Sequence, residues 1–150
     1  MRYTKIFIVR WADCDANGHM RNTAYSEYAI DTRMSWLADQ GWPFSRFEEL
    51  GIGPVLLREE IDYARELRLG DSVEVDLTGL GLSSDGARWK LAHEFWRPGG
   101  KTAARIVLSG AWMGMESRRL VVPPDALTEA MRKVPQGPTW EELAPLKPRE

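Results

Sequence analysis

The sequence predicts an α+β domain in which one long helix packs on a mainly antiparallel sheet. Apolar residues recur at helical spacing between residues 25 and 37, which indicates a helix with a broad buried face. Between residues 55 and 115, apolar and polar residues alternate and are interrupted by turns that contain Gly, Asp or Pro. The helix is expected to bury its apolar face against the antiparallel strands that follow it.

The first strand is expected over residues 3–11, where Ile6 to Val9 are apolar on both faces and therefore predict cover on both sides. A loop follows it, and Asn22 or Thr23 is expected to cap the long helix by accepting a hydrogen bond from a free backbone N–H. Four hairpin-connected strands should follow, then a short helix that ends near Lys133. Turns between these strands are predicted at residues 70–71, 83–86 and 97–100.

Domain organisation follows from where these patterns end. Residues 1–134 are predicted to form one domain, because the chain has no internal repeat and no second apolar core. Residues 135–150 are predicted to be a loose tail because they are rich in proline, with Pro135, Pro138, Pro145 and Pro148.

Composition excludes several classes of partner. The net charge of −2 leaves no basic footprint for nucleic acid. No apolar run approaches the ~20 residues that a membrane span needs, so no membrane partner is expected. A lone cysteine, Cys14, rules out an intrachain disulfide and clustered-cysteine zinc sites. The expected location is therefore the reducing cytoplasm.

Candidate chemistry concentrates in the loop between the first strand and the long helix, residues 11–25. This loop holds two carboxylates, the single thiol, one of two histidines, a glycine and the start of the helix. Taken by itself, a carboxylate such as Asp15 is most simply explained as a loop or helix-cap residue.

The segment from Asp13 to Tyr28 resembles the signature of hotdog-fold acyl-CoA thioesterases of the 4-hydroxybenzoyl-CoA thioesterase type. The family pattern is an aspartate, a Gly-His or Gly-Val step, an asparagine, two tyrosines three residues apart, and then an acidic residue and an arginine. In this chain the pattern falls on Asp15, Gly18, His19, Asn22, Tyr25, Tyr28, Asp31 and Arg33. The resemblance extends over roughly residues 3–132 and implies a long central helix wrapped by a curved, five-stranded, mainly antiparallel sheet.

The resemblance implies hydrolysis of an acyl-CoA thioester to the free acid and CoA. Asp15 is then the candidate catalytic residue, either as general base toward water or as a nucleophile that forms an anhydride. Free backbone N–H groups at the helix start, near Asn22, would hold the oxyanion, and Gly18 would allow close approach of the chain.

Among the other residues of the loop, His19 and Tyr25 each have a structural and a functional interpretation. His19 could orient the substrate or stabilise the loop through a hydrogen bond. Tyr25 is expected in the core, although its hydroxyl could reach the pocket. Asp13 is expected to be structural. Cys14 lies between two carboxylates, which should raise its pKa and disfavour a nucleophilic role.

No cofactor or metal is expected, since the sequence lacks a metal-ligand cluster and a dinucleotide fingerprint. The expected partners are acyl-CoA, with acyl carrier protein as another possible carrier, and a second copy of the chain in a homodimer or homotetramer. A non-catalytic hotdog module that binds acyl groups or assists assembly is the alternative function, and a hydratase is a third. Arginines that could meet CoA phosphates are Arg58, Arg65, Arg68, Arg88 and Arg97.

Overall fold

A computed structural model describes residues 2–146 of the chain as one helix-on-sheet structure. The helices are α1 (Asn22–Asp39), α2 (Phe44–Leu50) and α3 (Asp125–Arg132). The strands are β1 (Tyr3–Ile8), β2 (Ile52–Tyr63), β3 (Ser72–Ser83), β4 (Arg88–Trp96), β5 (Thr102–Gly114), β6 (Leu120–Val121) and β7 (Gln136–Leu143). The predicted α+β class is confirmed.

The sheet has the order β1-β3-β4-β5-β2, with β6 paired to β5 and β7 paired to β3. It therefore contains the five predicted strands and two additions, β6 and β7. The expected hairpin between β2 and β3 is wrong, because the chain between them crosses the sheet and β2 pairs with β5 at the opposite edge. The β3–β7 pairing is parallel, whereas the other described pairings are antiparallel. Strand β2 forms one edge of the main path, which leaves its outer backbone groups unpaired by the described strands.

Helix α1 lies on the inner face of this sheet. Tyr25, Ala29 and Leu37 are buried, which confirms the buried face predicted from the helical spacing of apolar residues between 25 and 37. The Tyr28 ring stacks on Phe7 of β1 with 4.6 Å between ring centroids, and the Tyr25 ring lies 5.4 Å from Phe95 of β4. Aromatic packing thus holds the first half of α1 against the centre of the sheet.

A bulge in β2 determines which of its side chains face α1. The register with β5 shifts between Leu56 and Arg58, and after it Glu59 lies opposite Leu108 and Ile61 opposite Ile106. Directly opposed residues in an antiparallel pair point to the same face. Because Leu108 and Ile106 are buried, Glu59, Ile61 and Tyr63 lie on the inner face of β2.

Two local predictions are wrong. Arg21, not Asn22 or Thr23, is the N-cap of α1, and its side chain makes no capping hydrogen bond. The predicted cover on both sides of β1 is also absent among residues 2–146, since Ile6 is 68% exposed and Ile8 56% exposed. The physical reason is that β1 is an edge strand whose inner face alone meets α1.

The prediction of a loose tail after residue 134 is wrong for residues 136–143. These residues form β7, because β3 extends beyond β1 and offers free backbone groups along the same edge. The two strands approach closely at Gly81 of β3, where a β-carbon would lie 2.9 Å from the Glu141 carbonyl oxygen of β7. The last residues of the predicted tail, 147–150, lie outside the described residues.

No helix within residues 2–146 combines the length and the apolar character that crossing a bilayer requires.

Candidate active site

The loop between β1 and α1 folds into a tight turn at residues 15–19. The Asp15 N–H donates to the His19 carbonyl oxygen at 2.8 Å, and the Gly18 N–H donates to the Asp15 carbonyl oxygen at 3.1 Å. Gly18 has φ of 75°, a left-handed conformation that glycine adopts at little cost. The Met20 N–H then donates to the Leu67 carbonyl oxygen at 2.7 Å, which ties the turn to the segment after β2.

The Asp15 carboxylate lies at the surface of this turn. Its Oδ1 atom accepts hydrogen bonds from the backbone N–H of Asn17 at 2.9 Å and of His19 at 3.1 Å. The side chain is exposed. Both bonds orient the carboxylate through one oxygen, and within the described part of the chain the Oδ2 atom accepts no hydrogen bond.

A cleft of about 380 Å³ opens beside this carboxylate, and we call it the Asp15 cleft. It is lined by Asp15, His19, Met20, Asn22, Tyr25, Tyr63, Ala64, Arg65 and Glu66. Four of the five predicted site residues therefore lie together. The fifth, Gly18, shapes the turn and is not part of the lining.

The start of α1 presents backbone N–H groups near the Asp15 cleft. The first N–H groups of a helix have no intrahelical acceptor, and the N-cap residue Arg21 supplies none from its side chain. The helix dipole adds partial positive charge at the same place. Asn22, the first residue of α1, lines the cleft, so an anion bound there would meet these donors.

On the opposite wall of the Asp15 cleft, the sequence analysis named only Arg65, as one of the arginines that could meet CoA phosphates, and it missed Tyr63 and Glu66. Tyr63 ends β2, and Arg65 and Glu66 follow it. The Glu66 Oε2 atom lies 3.3 Å from Nε2 of His19, and the Arg65 guanidinium donates to the Thr102 carbonyl oxygen at 2.8 Å. The chain topology could have predicted this wall, because the loop after β2 returns to the end of the sheet where β1 leads into α1.

Tyr25 forms the floor of the cleft. It is 3% exposed, and its ring meets the Tyr63 ring edge-on with 5.1 Å between centroids. Burial raises the pKa of Tyr25 to about 12. The phenol therefore stays protonated at neutral pH and can offer a hydrogen bond but cannot act as a base.

Asp13 has a structural environment, as predicted. It is 1% exposed and accepts a hydrogen bond from the Tyr28 hydroxyl at 2.6 Å. Its carboxylate also meets the Arg10 guanidinium at 3.1 Å. The hydrogen bonds from Arg10, and after them the one from Tyr28, hold the pKa of Asp13 at about 2 against the opposing effect of burial.

Cys14 has the predicted direction of pKa shift. Burial, and then the charges of Asp13 and Asp15, raise the pKa of its thiol. A neutral thiol is a poor nucleophile. Across residues 2–146, no three His, Cys, Asp or Glu side chains come together in a way that could hold a metal ion.

Four tryptophans lie in the core and not in the Asp15 cleft. Trp36, Trp42, Trp89 and Trp112 are each at most 4% exposed and belong to the core. Trp42 packs against Phe47 of α2 and Trp89 against Trp112, and none of the four is part of the lining of the Asp15 cleft.

Comparison with known proteins gives the family. Residues 9–131 match the model of the thioesterase-like superfamily. A curated protein of Aquifex aeolicus (strain VF5), named "Putative esterase", is 31% identical over 75 residues, which are 50% of this chain and 59% of that protein. The match thus spans about three fifths of that relative's length.

Solved structures share the fold at low sequence identity. A hypothetical protein of Staphylococcus aureus, solved in complex with CoA, superposes with a TM-score of 0.83 at 22% identity and covers 94% of this chain and 90% of its own. A 1,4-dihydroxy-2-naphthoyl-CoA thioesterase from Synechocystis gives a TM-score of 0.79 at 18% identity, over 89% of this chain and 97% of its own. These likenesses confirm the hotdog fold. With the family match over residues 9–131, they lead to one conclusion: the chain belongs to the thioesterase-like superfamily.

Proposed function

We propose that this protein hydrolyses an acyl-CoA thioester to the free acid and CoA, with Asp15 as the catalytic carboxylate. One observation carries the proposal: Asp15 and the start of α1 at Asn22 line the same cleft. A base or nucleophile thus faces the backbone donors that can hold an oxyanion. Support for CoA as the carrier comes from the Staphylococcus aureus protein, solved with CoA, and the Synechocystis thioesterase, named for a CoA ester.

Asp15 could act in hydrolysis by either of two routes. In the first, Asp15 takes a proton from water while the water oxygen attacks the thioester carbonyl carbon. In the second, the Asp15 carboxylate attacks that carbon itself, expels the thiolate and forms an anhydride, which water then hydrolyses. In both, the carbonyl oxygen gains negative charge at the N-terminus of α1 and the CoA thiolate leaves. A thiol pKa near ~8.5 means that this leaving group needs little protonation.

The test is the Asp15→Asn variant. Asparagine keeps the shape of the side chain but can neither take the proton nor form the anhydride. We expect kcat to fall by about 10²-fold or more across a panel of aliphatic and aromatic acyl-CoAs and acyl carrier protein thioesters. Asp62→Asn is the matched control, since Asp62 is exposed on the outer face of β2. Near-normal kcat in Asp15→Asn would contradict the assignment.

A single turnover in ¹⁸O-labelled water distinguishes the two routes. With Asp15 as base, all the label enters the product acid. With Asp15 as nucleophile, label also appears in the aspartyl carboxylate when water opens the anhydride on the protein side, and peptide mass analysis detects it there.

The alternative is a non-catalytic module that binds acyl-CoA. The two backbone hydrogen bonds to Asp15 Oδ1 favour it, because a purely structural aspartate would make the same bonds. Tight acyl-CoA binding in calorimetry without thiol release from any member of the panel would support this module over the enzyme.

We also propose assembly with a second copy and a cytoplasmic location. Edge strand β2 carries Leu56 at 42% exposure and Leu57 at 54%, and Ile30 of α1 is 45% exposed. Pairing of β2 with its counterpart would cover these side chains in a homodimer, from which a homotetramer could be built. Sedimentation equilibrium tests the assembly. The single Cys14, which is free, fits a reducing compartment.

A further inference from the structure

His19 and Glu66 meet across the Asp15 cleft. Nε2 of the His19 imidazole lies 3.3 Å from Oε2 of Glu66, close to hydrogen-bond distance. His19 belongs to the loop between β1 and α1, whereas Glu66 follows β2, so the contact joins the two walls of the cleft. The His19 side chain is 32% exposed and the Glu66 side chain 61% exposed, so water reaches both.

A short backbone pairing brings Glu66 beside His19. Two hydrogen bonds, of 2.7 and 3.0 Å, hold residues 18–20 against residues 67–69, and His19 and Arg68 are opposed in an antiparallel bridge between them. Side chains two residues apart in an extended segment point to the same side. Glu66 and Arg68 therefore both lie on the side of the segment that meets His19, and Nη2 of Arg68 lies 3.9 Å from Oε2 of Glu66.

The contact with Glu66 determines which imidazole nitrogen of His19 can accept a proton. A carboxylate only accepts, so in the neutral imidazole Nε2 carries the hydrogen and Nδ1 has the lone pair. Histidine bases of hydrolases are oriented in the same way, by a carboxylate that bonds one ring nitrogen while the other takes the proton. His19 can thus offer the Nδ1 lone pair in the cleft that it shares with Asp15.

The imidazole and the Asp15 carboxylate leave the same tight turn. The backbone N–H of His19 donates to Asp15 Oδ1 at 3.1 Å, and both side chains line the cleft. Tyr25, in the same lining, is a poor base, since burial raises its pKa to about 12 and keeps it protonated. Glu66 lies against His19, so His19 is the group best placed to take a proton beside Asp15.

The anhydride route needs a second base. After the Asp15 carboxylate has attacked the thioester carbonyl carbon and expelled the thiolate, it carries the acyl group and can no longer take a proton from water. In the base route, Asp15 takes that proton itself, and no proton transfer remains for His19. An oriented imidazole next to Asp15 therefore favours the anhydride route.

We propose that His19 is the general base of the second step and that Glu66 is its positioning residue. Nδ1 of His19 takes a proton from water while the water oxygen attacks a carbonyl carbon of the anhydride. The bond from that carbon to the bridging oxygen breaks, which gives the free acid and restores the Asp15 carboxylate. The imidazolium then returns its proton to solvent, from which the CoA thiolate takes one up. The inference rests on the proposed function, because it requires a thioester substrate and Asp15 as nucleophile.

The experiment follows thiol release and bound acyl group in the first turnover with excess acyl-CoA. His19→Gln keeps an amide N–H for Glu66 but cannot take a proton. It should release about one thiol per active site near the wild-type rate and then turn over about 10²-fold more slowly than the wild type. Mass spectrometry of acid-quenched protein should find the acyl group attached. Adding Asp15→Asn to this variant should abolish both the burst and the attached acyl group.

Glu66→Gln should show the same pattern more weakly, because it removes the charge that stabilises the imidazolium. The steady-state rate should fall about fivefold, as expected for an exposed ion pair, while the first thiol is released at the wild-type rate. A merely structural role of Glu66 would slow both phases. Glu60→Gln is the matched control and should change neither phase, because Glu60 is exposed on the outer face of β2 beside Arg58.

His19→Ala with added imidazole keeps the test independent of any local change in the loop. Free imidazole should raise the steady-state rate of this variant and leave the burst unchanged. A His19→Gln enzyme that is slow without a burst or an attached acyl group would overturn the inference, as would a burst that persists when Asp15→Asn is added. In both cases, loss of activity in Asp15→Asn alone would show that the proposed function stands. If the wild type hydrolyses no thioester, the proposed function fails and the inference fails with it.

Discussion

Asp13 and Asp15 lie two residues apart, and their carboxylates have opposite surroundings. Asp13 is 1% exposed and is held by Tyr28 and Arg10, whereas Asp15 is exposed and receives only backbone N–H groups on one oxygen. The hydrogen bonds of the buried carboxylate stabilise the loop. The exposed one has a second oxygen without a hydrogen bond from the described chain, which the proposed role of Asp15 requires.

The Tyr28→Phe variant should lose stability. It removes the 2.6 Å hydrogen bond to Asp13 and leaves a buried carboxylate one donor short, which costs about 1–3 kcal/mol. The folded-state pKa of Asp13, about 2, lies below its unfolded value, so its contribution is complete above pH 3.8 and is lost as pH falls toward 2. Urea unfolding at pH 7 and pH 3 measures both effects.

Tyr63→Phe is the control for that experiment, since the Tyr63 side chain is 52% exposed. Its free energy of unfolding should stay within about 0.5 kcal/mol of the wild type. A Tyr28→Phe variant as stable as this control would show that Asp13 does not depend on the phenol.

Stability between pH 6 and pH 4 should reflect two opposing groups. Burial lowers the pKa of His93 to about 3, below the usual 6.5, so acidification protonates this residue mainly in the unfolded state and destabilises the fold. Burial raises the pKa of Asp76 to about 6, above 3.8, so acidification protonates it first in the folded state and stabilises the fold. The wild type should therefore change little across this window.

Single substitutions should reveal how each group changes the free energy of unfolding with pH. Asp76→Asn removes the stabilising response and should lose up to about 1.4 kcal/mol per pH unit on acidification. His93→Gln should show the opposite trend, with stability that rises from pH 6 to pH 4. Urea unfolding at several pH values measures the slopes, and identical slopes in both variants would contradict the assignment.

Arg65→Ala should weaken binding of the CoA moiety. Arg65 lines the Asp15 cleft, and we expect its guanidinium to meet a CoA phosphate. KM for acyl-CoA should rise several-fold with kcat unchanged, the pattern of lost uniform binding. The same acyl group on N-acetylcysteamine, which has no phosphates, should show no change in KM, and neither should Arg58→Ala on the outer face. A KM increase for both thioesters would exclude a phosphate contact.

Alanine substitution at two glycines should separate steric overlap from backbone strain. Gly86 has φ of 75°, and a β-carbon there would lie 1.9 Å from the Thr128 hydroxyl oxygen. Gly99 has φ of 92° with nothing within 4 Å. Gly99→Ala should cost about 1–2 kcal/mol of strain, and Gly86→Ala about 1–3 kcal/mol more from overpacking. Equal losses in urea unfolding would contradict the contact with α3.

A chain that ends at Val134 should be less stable than the full chain. It lacks β7, which pairs with β3, and Trp140, which packs against the core. The control ends at Leu146. If the two truncated chains unfold at the same urea concentration, residues 136–143 behave as part of the loose tail that the prolines of residues 135–150 suggested.

The helix, the four strands after it and the hairpins β3–β4 and β4–β5 were predictable because their signals are local, whereas the pairing of β2 with β5 rather than β3 was not. Tyr25, Ala29 and Leu37 repeat at helical spacing, and this spacing alone identified the buried face of α1. Cover on β1 was not predictable, because whether Ile6 and Ile8 are buried depends on what else packs there. β7 was missed since its partner strand, β3, lies more than fifty residues earlier in the chain.

By itself, the sequence determined the fold class, the family resemblance and the loop that carries Asp15, because these depend on periodicity and on residues adjacent in the chain. Only the tertiary structure decided what surrounds that loop. It placed Glu66 beside His19, and Glu59 against Ser26 of α1. The bulge between Leu56 and Arg58 puts Glu59 on the inner face of β2, and the sheet pairing that produces a bulge is a long-range property.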